Sequence, residues 1–106
     1  MRTTRWTKAG DDLGLVLRRS DGERVVVLVD WDRQVAELID AAGPWRLRRD
    51  GVVVSRGGVT LRRLVRGVTD PRLVVRQADP LDCRRASLQV VSRAEVALDG
   101  HRRRRA

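Results

Sequence analysis

The densest group of chemically active side chains lies between Asp79 and Arg85, where Asp79, Asp82 and Cys83 precede the pair Arg84-Arg85. Carboxylates can hold a metal ion or accept a proton, and arginine forms bidentate hydrogen bonds to phosphate. Asp82 stands where it can cap a helical turn and Asp79 begins a turn, so their placement favours structural carboxylates over a metal site. The two arginines are candidates for phosphate binding, and salt bridges to Asp79 or Asp82 are the alternative.

The chain contains few side chains that could support thiol or imidazole chemistry. Cys83 is the only cysteine and His101 the only histidine among the 106 residues. One thiol cannot close an internal disulfide, so a reducing cytoplasm is the simplest setting. One cysteine and one histidine also fall short of the ligand set of a zinc site.

Positive charge is concentrated in the second half of the chain. The formal net charge is +9, from 23 Lys and Arg against 14 Asp and Glu. Residues 1–50 hold ten basic and nine acidic side chains, a net of +1, whereas residues 51–106 hold thirteen and five, a net of +8. A half this basic suggests a polyanionic partner, most often nucleic acid, and a solvated surface that confers solubility is the alternative.

Neither a membrane span nor a secretory signal is predicted. A spanning helix needs about 18 consecutive apolar residues, and no run in the chain approaches that length. Residues 1–8 lack the apolar segment of a secretory signal. We therefore expect no membrane association and a cytoplasmic, nucleoid-associated protein.

Apolar periodicity and turn residues predict a mixture of strands and short helices. Runs of Val and Leu on both sides of Ser20-Asp21-Gly22 favour a hairpin, and Asp50-Gly51 is a second hairpin signal. The predicted strands cover 13–18, 24–29, 45–49, 52–55, 73–76 and 88–91, and the predicted helices cover 31–42 and 61–66, with a helical turn at 82–85 and a final helix that starts at 92.

The helix predicted at 31–42 carries its apolar side chains on one stripe. Its members are Trp31, Val35, Leu38, Ile39 and Ala42. Asp30 or Asp32 can cap its start, and Gly43-Pro44 ends it, with the glycine in the C′ role. The stripe predicts Trp31 in the core. Trp45 is expected to pack under the sheet, with stacking on a base or sugar as the alternative.

The chain is predicted to form one small domain, since 106 residues can bury one modest core. Residues 1–12 are polar and are expected to be a flexible N-terminus, and residues 13–99 form the domain. The basic segment 100–106 is expected to be a disordered tail, because its like charges repel one another.

Residues 79–91, Asp-Pro-Leu-Asp-Cys-Arg-Arg-Ala-Ser-Leu-Gln-Val-Val, resemble the second half of an HNH endonuclease motif. The segment at 81–88 is similar to the family core Leu-Asp-Asn-Arg-Arg-x-Asn-Leu. Upstream, residues 27–32 resemble the acidic segment that starts many phage HNH homing endonucleases, Trp45 precedes a basic hairpin, and 61–67 resembles a Leu-His-Arg-Leu segment. The resemblance spans roughly residues 27–97, in the family's order.

The departures from the HNH pattern fall where its chemistry would be. Val74-Val75 stands where the family has Asp-His, and the resemblance implies that this His activates water while the Asp binds metal. Valine can do neither. Cys83 and Ser87 replace the two Asn of the core, and Arg62 replaces the His of the upstream segment. We therefore predict no catalytic residue, no metal ligand, no cofactor and no enzymatic activity.

The resemblance implies an α+β fold, with a small antiparallel sheet, a packed helix and a degenerate ββα-metal (HNH-like) unit. Arginines remain at the basic positions of the pattern, which predicts contact with DNA phosphates. The predicted DNA-binding residues are Arg46, Arg48, Arg49, Arg62, Arg63, Arg66, Arg84, Arg85 and Arg93.

Two of these groups lie on predicted elements. The hairpin at 45–55 is similar to the ribbon of the ethylene-response type of DNA-binding module, and a two-stranded ribbon fits a major groove. Arg62, Arg63 and Arg66 would lie on the outer side of the helix at 61–66. A solvated surface is the alternative for both groups.

The sequence thus predicts a non-catalytic DNA-binding protein derived from an HNH scaffold of phage or mobile-element type. A transcriptional regulator and a chromosome-associated factor are the roles that it fits. Two alternatives stay open: a metal-dependent nuclease with a displaced active site, and a protein-interaction module or inhibitor that binds a protein partner or forms a homodimer.

Overall fold

Alternating Val and Leu residues build the first sheet. The structure is a computed structural model that describes residues 4–97. Strands β1 (Arg5–Ala9), β2 (Asp12–Arg18) and β3 (Arg24–Val29) form an antiparallel sheet in the order β1-β2-β3. Because side chains alternate along a strand, one face of this sheet is buried. Its buried residues are Leu15, Leu17, Val25, Val27 and Val29.

For residues 5–9, strand β1 corrects the expectation of a flexible N-terminus over 1–12; residues 1–3 lie outside the described part of the chain. Residues 5–9 pair with β2 along their whole length. In addition, the indole Nε1 of Trp6 donates a hydrogen bond to Asp40 at 3.0 Å. Local composition is polar here, but cross-strand pairing and the Trp6 anchor order the segment.

Helix α1 (Arg33–Ala42) follows, and Asp32 caps its start by accepting from the backbone N–H groups of Gln34 and Val35. Its buried stripe is narrow, since only Val35 and Ile39 are fully buried. Leu38 is 53% exposed, at the edge of this stripe.

The prediction that Trp31 lies in the core is wrong. Its side chain is 63% exposed. The helix begins only at Arg33, so Trp31 precedes it and does not share its stripe. At the other end, Gly43 closes the helix with φ −64° and ψ 173°, not in the left-handed conformation, because a residue before proline is confined to extended backbone.

Strands β4 (Trp45–Leu47) and β5 (Val53–Ser55) form the predicted second hairpin, which turns at Gly51 with φ +85°. Trp45 is buried, as predicted, and its Nε1 donates to the carbonyl of Ile39 at 2.7 Å. Strand β4 is shorter than predicted, because the turn already begins at Arg48, whose carbonyl accepts from the backbone N–H of Gly51 at 2.9 Å and whose side chain pairs with Asp50.

Helix α2 (Leu61–Arg66) buries Leu61 and Val65 and ends at Gly67, whose φ of +68° is left-handed. Thr60 occupies the N-cap position, but its hydroxyl makes no capping hydrogen bond. Helix α2 therefore depends on its buried apolar side chains for its position.

Strands β6 (Leu73–Gln77) and β7 (Leu88–Ser92) pair antiparallel, with a 3-10 helix at Arg85–Ser87 between them. Residues 93–97 are helical, and the backbone N–H of Glu95 donates to the hydroxyl of Ser92 at 3.1 Å, as the predicted capping sequence requires. The predicted tail at 100–106 lies outside the described residues.

Residues 81–83 join the last hairpin to the first sheet. The backbone N–H of Leu28 donates to Leu81 at 2.8 Å, and that of Cys83 donates back to Leu28 at 2.8 Å. Within residues 4–97 the architecture is thus α+β, with three small antiparallel sheets around one apolar core. The broad fold class agrees with the prediction.

Candidate nucleic-acid interface

Two hairpin tips meet at one cationic groove. The turn between β2 and β3 contributes Arg19 and Asp21, and the turn between β4 and β5 contributes Arg48 and Arg49. The groove has a volume of about 360 Å³. Sequence separation hides this proximity, because some thirty residues divide Arg19 from Arg49 along the chain.

A second groove lies at the end of the first sheet. It is lined by Arg5, Arg18 and Arg24 together with Trp45, and it has a volume of about 640 Å³. Arg18 and Arg24 are direct cross-strand partners, and Arg5 pairs with Val16, two residues from Arg18 on the same face. We call the two grooves together the hairpin surface; its arginines are Arg5, Arg18, Arg19, Arg24, Arg48 and Arg49.

Carboxylates neutralise only part of the hairpin surface. Arg48 pairs with Asp50 at 2.7 Å, and Arg19 lies 3.8 Å from Glu23. The Arg48 hydrogen bond is the main cause that holds the pKa of the Asp50 carboxyl below its usual value.

The remaining arginines of this surface keep most of their donors available. Arg18 donates to the carbonyl of Gly22 at 3.0 Å. Arg5, Arg24 and Arg49 are exposed and make no side-chain hydrogen bond or ion pair with any residue in 4–97. Hydrated, unpaired guanidinium groups are the form in which arginine contacts phosphate.

Four arginines of this surface were missed from the sequence: Arg5, Arg18, Arg19 and Arg24. They lie in residues 1–50, where acidic side chains almost balance the basic ones. A signal was present in strand alternation, which puts Arg18 and Arg24 on the solvent face at the ends of their strands.

Arg84 is engaged by acidic side chains. It binds Asp82 at 2.8 Å and Asp12 at 3.3 Å. The Arg84 hydrogen bond is the largest cause that holds the pKa of Asp82 far below its usual range, and Ser87 adds a hydrogen bond of 2.7 Å to the same carboxylate. For Arg84, the salt-bridge alternative therefore describes the observed contacts, and this side chain ties residues 82–87 to β2.

Arg85 is partly engaged as well. Its backbone N–H donates to Asp30 at 2.8 Å, its Nε donates to the carbonyl of Val65 at 3.4 Å, and its guanidinium lies 4.0 Å from Asp32. About half of the side chain remains exposed.

Arg63 and Arg93 hold the turn before β6. Arg63 donates to the carbonyls of Leu73 and Asp70 at 2.6 and 2.9 Å. Arg93 donates to the carbonyl of Pro71 at 2.6 Å. Because both arginines donate to carbonyls of the loop before β6 or of its first residue, neither is assigned to the candidate interface.

The other predicted residues, Arg46, Arg62 and Arg66, make no side-chain hydrogen bond or ion pair within the described part of the chain. Arg46 and Arg66 are exposed, and neither lines a groove of the hairpin surface. Arg62 is partly buried and lines a separate groove beside β6, together with Val74 and Val75.

The groove beside β6, called the β6 groove below, lies at the position that the HNH resemblance assigns to chemistry. Val75 is 2% exposed and belongs to the apolar core, as does the neighbouring Cys83. Burial raises the pKa of the Cys83 thiol to about 11, so it is a neutral apolar side chain at neutral pH. Among residues 4–97, no three His, Cys, Asp or Glu side chains come together in a way that could hold a metal ion.

Comparison with known proteins identifies no relative of this chain. No family model, curated protein or solved structure matches this chain. Likewise, no helix within the described residues is long and apolar enough to cross a membrane.

Proposed function

We propose that this protein binds DNA without cutting it, and that the hairpin surface is its main contact. The observation that carries the proposal is a set of six arginines that line two grooves, four from the first sheet with its β2–β3 turn and two from the β4–β5 hairpin; three of the six lack any partner among residues 4–97. Phosphate contacts of this kind supply sequence-independent affinity through counterion release. The arginine-rich, net +9 chain adds long-range attraction to a polyanion.

The grooves of the hairpin surface suit a sugar-phosphate backbone. Their arginines stand on or next to paired strands, so the backbone that carries them is already ordered and binding has to order only the side chains. Base readout, where it occurs, is assigned to the hairpin at 45–55, whose exposed Arg46 and Arg49 have donors available. A nucleoid-associated regulator or chromosome-associated factor is the role we propose for such a protein.

Lack of cleavage follows from the residue types beside β6. Val74 and Val75 offer neither a base nor a metal ligand. Descent from an HNH scaffold is part of the same proposal. In a plasmid nicking assay with Mg²⁺ or Mn²⁺ we expect no turnover, and multiple-turnover nicking by the purified protein would establish the nuclease alternative instead.

The binding proposal is tested by titrating labelled duplex DNA across salt concentrations. The variant R5Q/R24Q removes two unpaired charges of the hairpin surface. The matched control R33Q/R72Q removes the same charge from exposed residues that lie on α1 and before β6. We expect the slope of log affinity against log salt to fall by about 1.8 for the first variant, at roughly 0.9 per phosphate contact, and to change little for the control.

Two results would contradict this assignment. An affinity that does not change from low to moderate salt would exclude phosphate contacts as its source. Equal losses in the two double variants would show that net charge, not the hairpin surface, determines binding.

A protein-interaction module is the second candidate, because part of the surface is apolar. Leu38 and Val59 are 53% and 43% exposed and line one apolar cavity of about 440 Å³ with Leu64 and Val68. Sedimentation of the protein alone tests self-association. A concentration-dependent dimer that L38D abolishes, together with DNA affinity no greater than that of a generic basic protein, would favour this second function.

A further inference from the structure

We infer that the β6 groove contains a second phosphate site, in which Arg62 binds a phosphodiester of the DNA backbone. The inference rests on the proposed function and assigns a distinct contact to it. The groove lies outside the hairpin surface, has a volume of about 650 Å³, and is open to solvent along β6 and β7.

Arg62 is the side chain that would bind an anion in this groove. Its neighbours Leu61 and Val65 are buried in the core, so the helix holds Arg62 in place. The side chain is partly buried and yet makes no hydrogen bond or ion pair with any residue in 4–97. A charge that has lost part of its hydration without gaining a partner is stabilised by a bound anion.

The adjacent residue provides a direct contrast. Arg63 is also partly buried, and its donors are satisfied by two backbone carbonyls. Partly buried arginines of α2 can thus find internal partners in this fold, but Arg62 finds none among the described residues and points its charge into the groove.

No described carboxylate competes for Arg62. The described residues that line the groove include no Asp or Glu. In the loop that follows β6, Asp82 is already bound by Arg84 and by the hydroxyl of Ser87, and Asp79 accepts a hydrogen bond from the backbone N–H of Leu81. An incoming phosphate therefore meets a cation without having to displace an acidic side chain.

The rest of the lining suits a phosphodiester in particular. Val74, which is partly exposed on β6, gives an apolar side chain against which a deoxyribose can pack. Gln89, exposed on β7, presents an amide donor beside the same groove. A phosphodiester with its attached deoxyribose matches this combination, because the guanidinium and the amide can bind the phosphate while the valine contacts the sugar.

The test compares R62Q with R33Q, which removes the same charge from an exposed residue on α1. Thermal denaturation first confirms that both variants fold. For R62Q we expect the salt slope of duplex binding to fall by about 0.9 and the affinity at low salt to weaken about tenfold, whereas R33Q stays close to wild type.

A second pair of variants tests the groove itself. V74D places a carboxylate beside Arg62, and V59D introduces the same charge on an exposed residue outside the groove. We expect V74D to weaken DNA binding more than V59D, because the new carboxylate pairs with Arg62 and repels phosphate. If V74D does not fold, the R62Q comparison decides alone.

The outcomes separate this site from the general proposal. If R62Q and R33Q bind DNA with the same affinity and salt slope while R5Q/R24Q is impaired, the phosphate site at Arg62 is wrong and the hairpin surface stands. If wild-type protein shows no salt-dependent DNA binding, both proposals are wrong.

Discussion

The arginines of this molecule fall into two groups, those with partners inside the fold and those without a partner among the described residues. Arg84 is bound by two carboxylates, and Arg63 by two carbonyls. Arg5 and Arg24 have no partner within residues 4–97. An arginine that is paired internally would have to give up its partner to contact a phosphate. An unpaired and hydrated arginine would exchange only water for the phosphate.

The ion pair of Asp82 with Arg84 predicts acid sensitivity. The pKa of Asp82 is lower in the folded protein than the value of about 3.9 expected in the unfolded chain. The pair therefore stabilises the fold fully above that value, and its contribution is lost as the pH falls through the folded pKa.

We expect the free energy of urea unfolding to fall between about pH 5 and pH 2, and to fall less steeply in D82N than in the wild type. Asp50 and Asp70 have lowered pKa values too, and they remain in both proteins, so the difference isolates Asp82. Identical pH profiles for the two proteins would show that this pair does not link stability to pH.

At the scale of elements, the first sheet depends on one close approach between strands. Gly14 is buried on the outer face of β2, where it pairs with Thr7 of β1 and Leu28 of β3 and has Val26 of β3 as a diagonal neighbour. A Cβ at Gly14 would lie 2.5 Å from a methyl of Val26 and 2.8 Å from the methyl of Thr7. The neighbouring strands would have to shift to accept any side chain there.

Gly14→Ala is therefore expected to destabilise the protein by about 1–3 kcal/mol through overpacking, measured by urea denaturation. Gly57→Ala is the matched control, because its new Cβ would meet nothing closer than the Ser55 hydroxyl at 3.8 Å. Equal stabilities of the two variants would show that the sheet adjusts to the added methyl at no cost.

At the scale of the whole molecule, the last hairpin and the first sheet share one core. Cys83 and Leu88 pack in the same cluster as Leu15 and Val27. Backbone hydrogen bonds between Leu28 and residues 81–83 join the two parts directly. Opening one part exposes the core of the other, so we expect a single cooperative unfolding transition.

The thiol of Cys83 reports on that transition. It is 1% exposed, and burial raises its pKa to about 11. We expect Ellman's reagent to label the native protein very slowly, and the labelled fraction in urea to follow the unfolding curve measured by tryptophan fluorescence. Fast labelling below the fluorescence transition would mean that the last hairpin opens independently.

Local patterns predicted many of the elements correctly, because the signals are carried by neighbouring residues. Asp50-Gly51 predicted its hairpin, and Thr60 with Gly67 bounded α2. The prediction that Trp31 is buried was wrong because apolar spacing alone does not say where a helix begins. Strand β1 was not predicted because it is stabilised by pairing with β2 and by the Trp6 contact with Asp40, neither of which is a local signal.

By itself, the amino-acid sequence determined the α+β composition, most of the turns and the excess of positive charge. Only the tertiary structure decided which of the described arginines have internal partners. It pairs Arg84 with Asp12, a residue far away in the chain, and brings Arg19 to Arg49 across two hairpins. The reason is physical: secondary structure follows from local sequence, whereas the partner of a charge depends on which distant side chains the folded chain places within a few ångströms of it.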